Sequence, residues 1–260
     1  MEAFPQNQQA KKGLKALQKG QVNKKKPSGP PQAQIDAVIS FYSRGQIQEA
    51  LSASETLIKD YPNTPLLYNI SGACYKAIGQ LDAAVKRYEQ ALAIKPDYAK
   101  AQSNRLFTFN YSPNCEPDFC LKEARKFGVL CSKKVAACFS DFQCSPIPKQ
   151  LKIGLVSGDF SKHPVGYFLE SLLSALTHQN LELIAYTTCP KFDDLSARIK
   201  PFFSEWKALF GLTDEVAAKL IHDDGIHILI DLSGHTAHNR LPVFAFKPAP
   251  VQVSWLGYFA

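Results

Sequence analysis

The sequence of 260 residues predicts a helical repeat region followed by an α/β lobe built on a parallel sheet. Two patterns lead to this fold class. In the first half of the chain, small, aromatic and helix-ending residues recur 34 positions apart, which is typical of stacked helical hairpins. After residue 150, short apolar runs alternate with helical patterns, which predicts parallel strands joined by helices.

Residues 1–31 are predicted to be a disordered basic tail. They hold seven lysines and a single acid, Glu2, and so account for most of the net charge of +7. They have few large apolar side chains, and such a segment cannot bury enough surface to offset the entropy of ordering. The charge therefore does not predict a nucleic-acid partner, because it belongs to a tail and not to the folded body.

Hydropathy and cysteine content predict a cytoplasmic protein. No apolar run approaches the ~20 residues that a membrane span needs, and residues 1–34 lack the apolar core of a signal peptide. Seven cysteines are an odd number, and the five between residues 115 and 144 do not repeat a C-x-x-C unit. Reduced thiols are the expectation, and a zinc site is the alternative with less support.

Residues 32–110 are predicted to be two and a half helix–turn–helix repeats, with units at 31–64 and 65–98 and an uncompleted third at 99–110. The aromatic residue of each unit packs between helices, glycine makes the turn, alanine lets the helices approach, and proline ends the second helix. The pairs that match at this spacing are Phe41 and Tyr75, Gly45 and Gly79, Ala50 and Ala84, and Pro62 and Pro96. Because so short a stack is not normally stable alone, we expect it to pack against the segment on its C-terminal side.

Residues 111–150 are predicted to be a helical connector, with a helix at 117–132 and a loop at 140–148. The lobe is predicted to occupy residues 151–260. Its predicted strands are 151–157, 181–187, 205–210, 226–232 and 251–255, and its predicted helices are 165–176, 193–203, 214–223 and 239–245. This alternation predicts a parallel sheet with helices on both faces.

Polar, glycine-containing loops follow three of these strands, at 157–164, 233–240 and 256–258. In open parallel sheets, ligands bind outside the carboxyl ends of the strands. If the strands are parallel, all three loops open on the same edge of the sheet. We therefore predict the binding site at this edge.

Two of the loops supply the candidate site residues. His163 precedes Pro164, which suits the first turn of a helix, and the helix N-terminus disfavours the imidazolium cation. A neutral His163 could act as a base or as a hydrogen-bond partner, the alternative being a loop histidine without a role. Gly234 lets the backbone approach a ligand, and Thr236 offers donors to a phosphate or sugar, the alternative being a simple capped turn.

The other histidines are predicted to be structural or solvated. His227 lies in the middle of a strand, and His178 is expected on the surface. His222 is at the end of a helix, where it is expected to be solvated or to face the helix dipole. Asp231 marks the carboxyl end of the same strand as His227. The sequence has no G-x-G-x-x-G, Walker A, G-x-S-x-G or H-E-x-x-H motif, which argues against a dinucleotide-binding dehydrogenase.

The repeat region resembles the tetratricopeptide repeat. Three later segments, KIGLVSGDFSKHPVGYFL, DGIHILIDLSGHTAHNRL and KPAPVQVSWLGY, resemble the N-terminal catalytic lobe of the O-linked N-acetylglucosamine transferases and the related SPINDLY O-fucosyltransferases. The resemblance implies a Rossmann-like lobe that is half of a GT-B fold. It also implies that the family continues into a second lobe after this segment, so we expect the chain to be inactive alone.

The family implies an inverting transfer of N-acetylglucosamine from UDP-N-acetylglucosamine to Ser or Thr of proteins, with no metal or other cofactor. SPINDLY-like members leave GDP-fucose open as the donor, and a non-catalytic protein-binding scaffold is a further alternative. By resemblance, His163 matches the catalytic histidine. Pro164, Gly234, His235 and Thr236 would line the nucleotide-sugar pocket, and the repeats would bind protein substrates.

Overall fold

A computed structural model describes residues 29–113 and 115–257 of the chain. The prediction for the first 28 residues of the tail lies outside this part. The N-terminal half is helical, as predicted. Its helices are α1 (Gln32–Ser43), α2 (Ile47–Asp60), α3 (Pro65–Ala77), α4 (Leu81–Ile94), α5 (Ala99–Phe109) and α6 (Pro117–Ser132). None of the helices described is long and apolar enough to cross a membrane.

The first four helices form two hairpins with the predicted turn residues. Gly45 and Gly79 have φ angles of +75° and +78°, which favour glycine because it has no side chain to clash in the left-handed region. Tyr88 of α4 is fully buried and lies directly against Gly72 of α3. The contact between Gly72 and Tyr88 therefore joins the two helices of the second hairpin closely.

The third unit has a second helix, contrary to the expectation that it is not completed. The predicted connector helix, α6, packs against α5. Leu106 and Phe109 from α5 and Phe127 and Cys131 from α6 form one buried cluster. The sequence did not indicate this pairing, because α6 lacks the small residues that the repeat has where its helices approach. It contacts α5 through Phe127 and Cys131 instead.

The expectation of reduced thiols is wrong for one pair of cysteines. Cys115, just before α6, and Cys120, in its first turn, are joined by a disulfide. The other described cysteines are free thiols. Across residues 29–113 and 115–257, no group of three or more His, Cys, Asp or Glu side chains is placed to hold a metal ion.

The C-terminal half is a five-stranded parallel sheet with strand order β3-β2-β1-β4-β5. Its strands are β1 (Leu151–Ser157), β2 (Leu181–Thr187), β3 (Glu205–Ala208), β4 (Ile228–Asp231) and β5 (Val251–Ser254). The helices between them are α7 (Pro164–Leu176), α8 (Asp194–Ile199), α9 (Asp214–Asp223) and α10 (Leu241–Phe244). The predicted helix at 193–203 ends early, and a 3-10 turn at Lys200–Phe202 follows. Pro201 lies in that turn, where it cannot donate a helical N–H bond.

Both faces of the sheet are covered, as predicted. On one face, Leu155 and Leu183 pack against α7 and α8. On the other face, Val156 and Ile184 pack against α9 and α10. Adjacent strand residues point to opposite faces, so the continuous apolar runs of β1 and β2 supply both layers.

The connector runs along the lobe and is held there by an aromatic stack. The ring of Phe139 lies 4.0 Å from that of His222 at an angle of 12°, and the Phe139 N–H donates to the carbonyl of Phe246 at 2.9 Å. The His222 side chain is only 12% exposed, and its Nε2 lies 2.7 Å from the carbonyl oxygen of Asp141. Of the two roles expected for His222, the solvated one is wrong because the connector covers the side chain, whereas the residue does lie in the last turn of α9.

Candidate functional site

The structure brings the three strand-end loops together at one edge of the sheet. Gly158 follows β1, and a methyl group on it would lie 2.9 Å from Cβ of His238 in the loop after β4. Gly257 follows β5, and a methyl group there would collide with the backbone nitrogen of Gly234. Two glycines without side chains thus permit the contacts by which the first and third loops meet the second.

His163 is the N-cap of α7, and Pro164 is the first residue of that helix. The Val165 N–H donates to Nδ1 of His163 at 3.3 Å, and the imidazole is 40% exposed at the edge. With Nδ1 accepting this bond, a neutral His163 carries its proton on Nε2 and presents a donor to the site. To act as a base at Nε2, His163 would have to carry its proton on Nδ1 instead. That Nδ1 proton would then need a hydrogen-bond acceptor.

Asp159 is positioned to be that partner, and sequence reasoning missed it. Its Oδ2 lies 3.8 Å from Nδ1 of His163. Burial raises the pKa of the Asp159 carboxyl, whereas the neighbouring His163, His238 and Lys191 favour its ionised form. The Asp159 N–H donates to Oγ of Ser157 at 2.9 Å, which fixes the start of the loop. The available signal was an acid four residues before His163.

Asp231 shapes the loop after β4. Its buried carboxylate accepts N–H bonds from Ser233 at 3.2 Å and from Gly234 at 2.8 Å, and a hydroxyl bond from Ser254 at 3.3 Å. Burial raises the pKa of Asp231, and these bonds oppose that rise by favouring the carboxylate. The resulting tight turn gives Gly234 a φ of +55°.

Thr236 and His235 have different surroundings within this loop. The Thr236 hydroxyl donates to the carbonyl of Ser233 at 2.8 Å, and the residue is half-buried. His235 is buried against the repeats, where its Nδ1 lies 2.9 Å from Oγ of Ser103 and its ring meets the edge of Phe127. Burial lowers the pKa of His235 to about 4. Thr236 thus lies at the edge, Gly234 is buried behind it, and His235 joins the loop to the helical repeats.

Two buried hydroxyls at strand ends have no hydrogen-bond partner among the described residues. They are Oγ1 of Thr188, directly after β2, and Oγ of Ser233, after β4. Buried polar groups are normally satisfied, so these two unpaired hydroxyls are exceptions within the lobe. Elsewhere, His178 is exposed, as predicted. His227 lies just before β4 and not within it; its Nδ1 accepts an N–H bond from Lys152 at 3.0 Å, whereas its buried Nε2 has no partner among the described residues.

Comparison with known proteins places the chain in a family. The sequence profile of glycosyl transferase family 41 matches residues 115–260, and that of the TPR repeat matches residues 72–105. The chain belongs to glycosyl transferase family 41. Its similarity to a solved structure, a mutant O-GlcNAc transferase of Thermobaculum terrenum, covers 87% of this chain and 51% of that one, with 26% identity and a TM-score of 0.66. The predicted class, helical repeats followed by half of a GT-B fold, is confirmed.

Curated family 41 relatives are similar over part of their length. The probable UDP-N-acetylglucosamine–peptide N-acetylglucosaminyltransferase SPINDLY of Oryza sativa subsp. japonica is 33% identical over 182 residues, which are 67% of this chain and 19% of that protein. The corresponding SEC protein of Arabidopsis thaliana is 33% identical over 111 residues, which are 42% of this chain and 11% of that protein. The chain thus spans about a fifth or less of the length of these relatives.

Proposed function

We propose that this chain is the repeat-bearing N-terminal part of a glycosyltransferase that transfers N-acetylglucosamine from UDP-N-acetylglucosamine to Ser or Thr hydroxyls of proteins. Family membership and the names of the relatives support the reaction class. The observation that carries the proposal is the bond between Ser103 of α5 and His235 of the strand-end loop. A protein held on the repeats would lie beside the edge where transfer takes place.

The proposed chemistry is a single displacement at the anomeric carbon of the sugar. The acceptor hydroxyl oxygen forms the new bond, and the bond to the diphosphate breaks with its electron pair leaving on the diphosphate. His163 would donate a hydrogen bond through Nε2, or accept the hydroxyl proton there once its Nδ1 proton pairs with Asp159. The N-terminus of α7 suits the developing negative charge.

GDP-fucose is the second candidate donor. The specific support is the extent of similarity. The match to the SPINDLY relative covers 67% of this chain, whereas the match to the SEC relative covers 42% of it. The resemblance to the SPINDLY O-fucosyltransferases leaves GDP-fucose open as the donor, although the name of this relative gives UDP-N-acetylglucosamine. We propose that neither reaction uses a metal ion, since the N-terminus of α7 would take the place of a cation.

The deciding experiment offers both donors to the longest natural protein that contains this chain. Transfer of labelled sugar to Ser/Thr peptides is measured side by side with UDP-N-acetylglucosamine and GDP-fucose, with and without a chelator. We expect transfer from one donor only and no chelator effect. The 260-residue chain alone should be inactive, because the described residues leave the edge at His163 open and provide no opposing wall for the donor.

Three variants of this longer protein test the catalytic roles proposed for His163 and Asp159. His163→Ala should reduce kcat by about 100-fold or more, in the range of general acid–base contributions. Asp159→Asn should reduce kcat less and leave KM for the donor nearly unchanged. His178→Ala, an exposed histidine outside the site, is the matched control. Transfer unaffected by His163→Ala would remove that residue from the mechanism, and no transfer from either donor would favour the scaffold.

A further inference from the structure

An open groove of about 1040 Å³ runs along the outer face of α6 and reaches the turn that follows α4. None of its lining residues belongs to the strand-end loops, so it is separate from the candidate site. Leu121 and Val129 of α6 line it and are 43% and 55% exposed. They lie about 12 Å apart along the helix. With the half-buried Leu130, they form the aliphatic part of the groove lining.

The groove is strongly cationic. It is lined by two carboxylates and five basic side chains, namely Lys122, Arg125, Lys126, Lys133 and Lys134. Lys126 pairs with Glu123 at 2.5 Å, and Lys134 pairs with Asp97 at 3.4 Å. In the part of the chain that the structure describes, the other three have no carboxylate within 4 Å. They are exposed charges that an incoming partner could neutralise.

We propose that this groove, the α6 groove, is a docking surface for an acidic amphipathic segment of a partner protein. The aliphatic residues between the cations suit apolar side chains on one face of such a segment, and Lys122, Arg125 and Lys133 suit flanking carboxylates. This is a charge-complementary form of helix-in-groove binding.

Charge and composition argue against three other occupants. The chain's own first 28 residues carry seven lysines and would be repelled. A second copy of the groove has the same sign of charge. Single-stranded nucleic acid binds on aromatic platforms, and no aromatic side chain lines the α6 groove.

The test uses a fluorescent acidic peptide of about 18 residues, or five helical turns, with two leucines on one face and glutamates beside them. A peptide of the same composition with the leucines on opposite faces is the peptide control. Binding is measured by anisotropy with the 260-residue chain and with the charge-reversed variant K122E/R125E/K133E. Three exposed lysines of α2, α4 and α5 give a matched variant with the same charge change, K59E/K86E/K100E.

We expect the groove variant to bind at least about tenfold more weakly and the matched variant to bind within about twofold of the parent. Leu121→Ser and Val129→Ser should each weaken binding without changing its salt dependence. Circular dichroism establishes that each variant is folded. No binding by the parent, equal weakening by both charge variants, or equal binding of both peptides would overturn the proposal. A single-stranded oligonucleotide that displaced the peptide and lost affinity with the groove variant would overturn it in favour of a nucleic-acid site.

Discussion

The side chain of His235 is neutral because the fold buries it between the strand-end loop and the repeats. Its pKa is lowered to about 4, whereas the imidazole of the unfolded chain titrates near 6.5. Between these two values the unfolded state binds a proton that the folded state does not. Stability is therefore unaffected by this group above about pH 6.5 and is lost as the pH falls toward 4.

We predict that His235→Asn removes this acid sensitivity. A difference of about 2.5 pKa units corresponds to ~3 kcal/mol, so the parent should lose up to that much between pH 7 and pH 4 through this group. Urea denaturation at several pH values measures it. His178→Asn, at an exposed position, should keep the parent's dependence, and identical slopes for the parent and His235→Asn would contradict the assignment.

Residue-level roles could be predicted where the neighbours were local in sequence. His163 as a helix cap followed from Pro164, which is adjacent. The partner of His235 did not follow, because Ser103 lies 132 positions away and nothing local indicates burial. Asp159 was missed for a different reason. Acidic residues are common in loops, and only the structure shows that this carboxylate lies beside the His163 imidazole.

Among the elements, α3 and α4 depend on close packing at Gly72. A methyl group at this position would lie 2.6 Å and 2.8 Å from ring atoms of Tyr88, which is fully buried and cannot move aside easily. We expect Gly72→Ala to lower the free energy of unfolding by roughly 1–3 kcal/mol, less the ~1 kcal/mol that alanine contributes as a better helix former.

Gly128 of α6 is the matched control. It is also a helical glycine, and a methyl group on it would contact nothing within 4 Å. Gly128→Ala should therefore stabilise by up to ~1 kcal/mol. Chemical denaturation followed by circular dichroism compares the two, and destabilisation of similar size in both variants would show that the Tyr88 contact is not the cause.

Periodicity predicted best the bounds of those elements whose start and end are marked by neighbouring residues in the sequence. The bounds of β1, β2 and α9 agree with the prediction, because each is an uninterrupted apolar run or a helix with a clear N-cap, Thr213 for α9. The strand β4 is shorter than predicted, although the His227 N–H still donates to the carbonyl of Lys152. The role of α6 depended on a tertiary contact with α5, which periodicity does not record.

In the whole molecule, the repeats and the lobe share one apolar junction. Leu241 and Ala245 of the lobe pack into the cluster that includes Phe127 of α6. We predict that Phe127→Ala costs about 3–5 kcal/mol and uncouples the two halves. The only tryptophans, Trp206 and Trp255, are both in the lobe, so fluorescence reports the lobe and circular dichroism at 222 nm reports chiefly the repeats.

The two signals should change together on heating the parent and separately for Phe127→Ala. Leu121→Ala changes a 43% exposed residue on the same helix and should leave the transitions coincident. If fluorescence and circular dichroism still gave the same midpoint in Phe127→Ala, even at a lower temperature than in the parent, the junction would not couple the two halves.

The strand order also has a consequence for synthesis on the ribosome. The central strand β1 pairs with β2 about 30 residues later, but its other neighbour, β4, begins only at Ile228, 75 positions after its partner Ile153. The helical hairpins are held by contacts between residues close in sequence and can form as they emerge from the ribosome. The sheet can form only after segments distant in sequence have been synthesised. Ser103 is therefore already in place when the segment with His235 leaves the exit tunnel. The nascent repeats would serve as the template against which the loop after β4 settles.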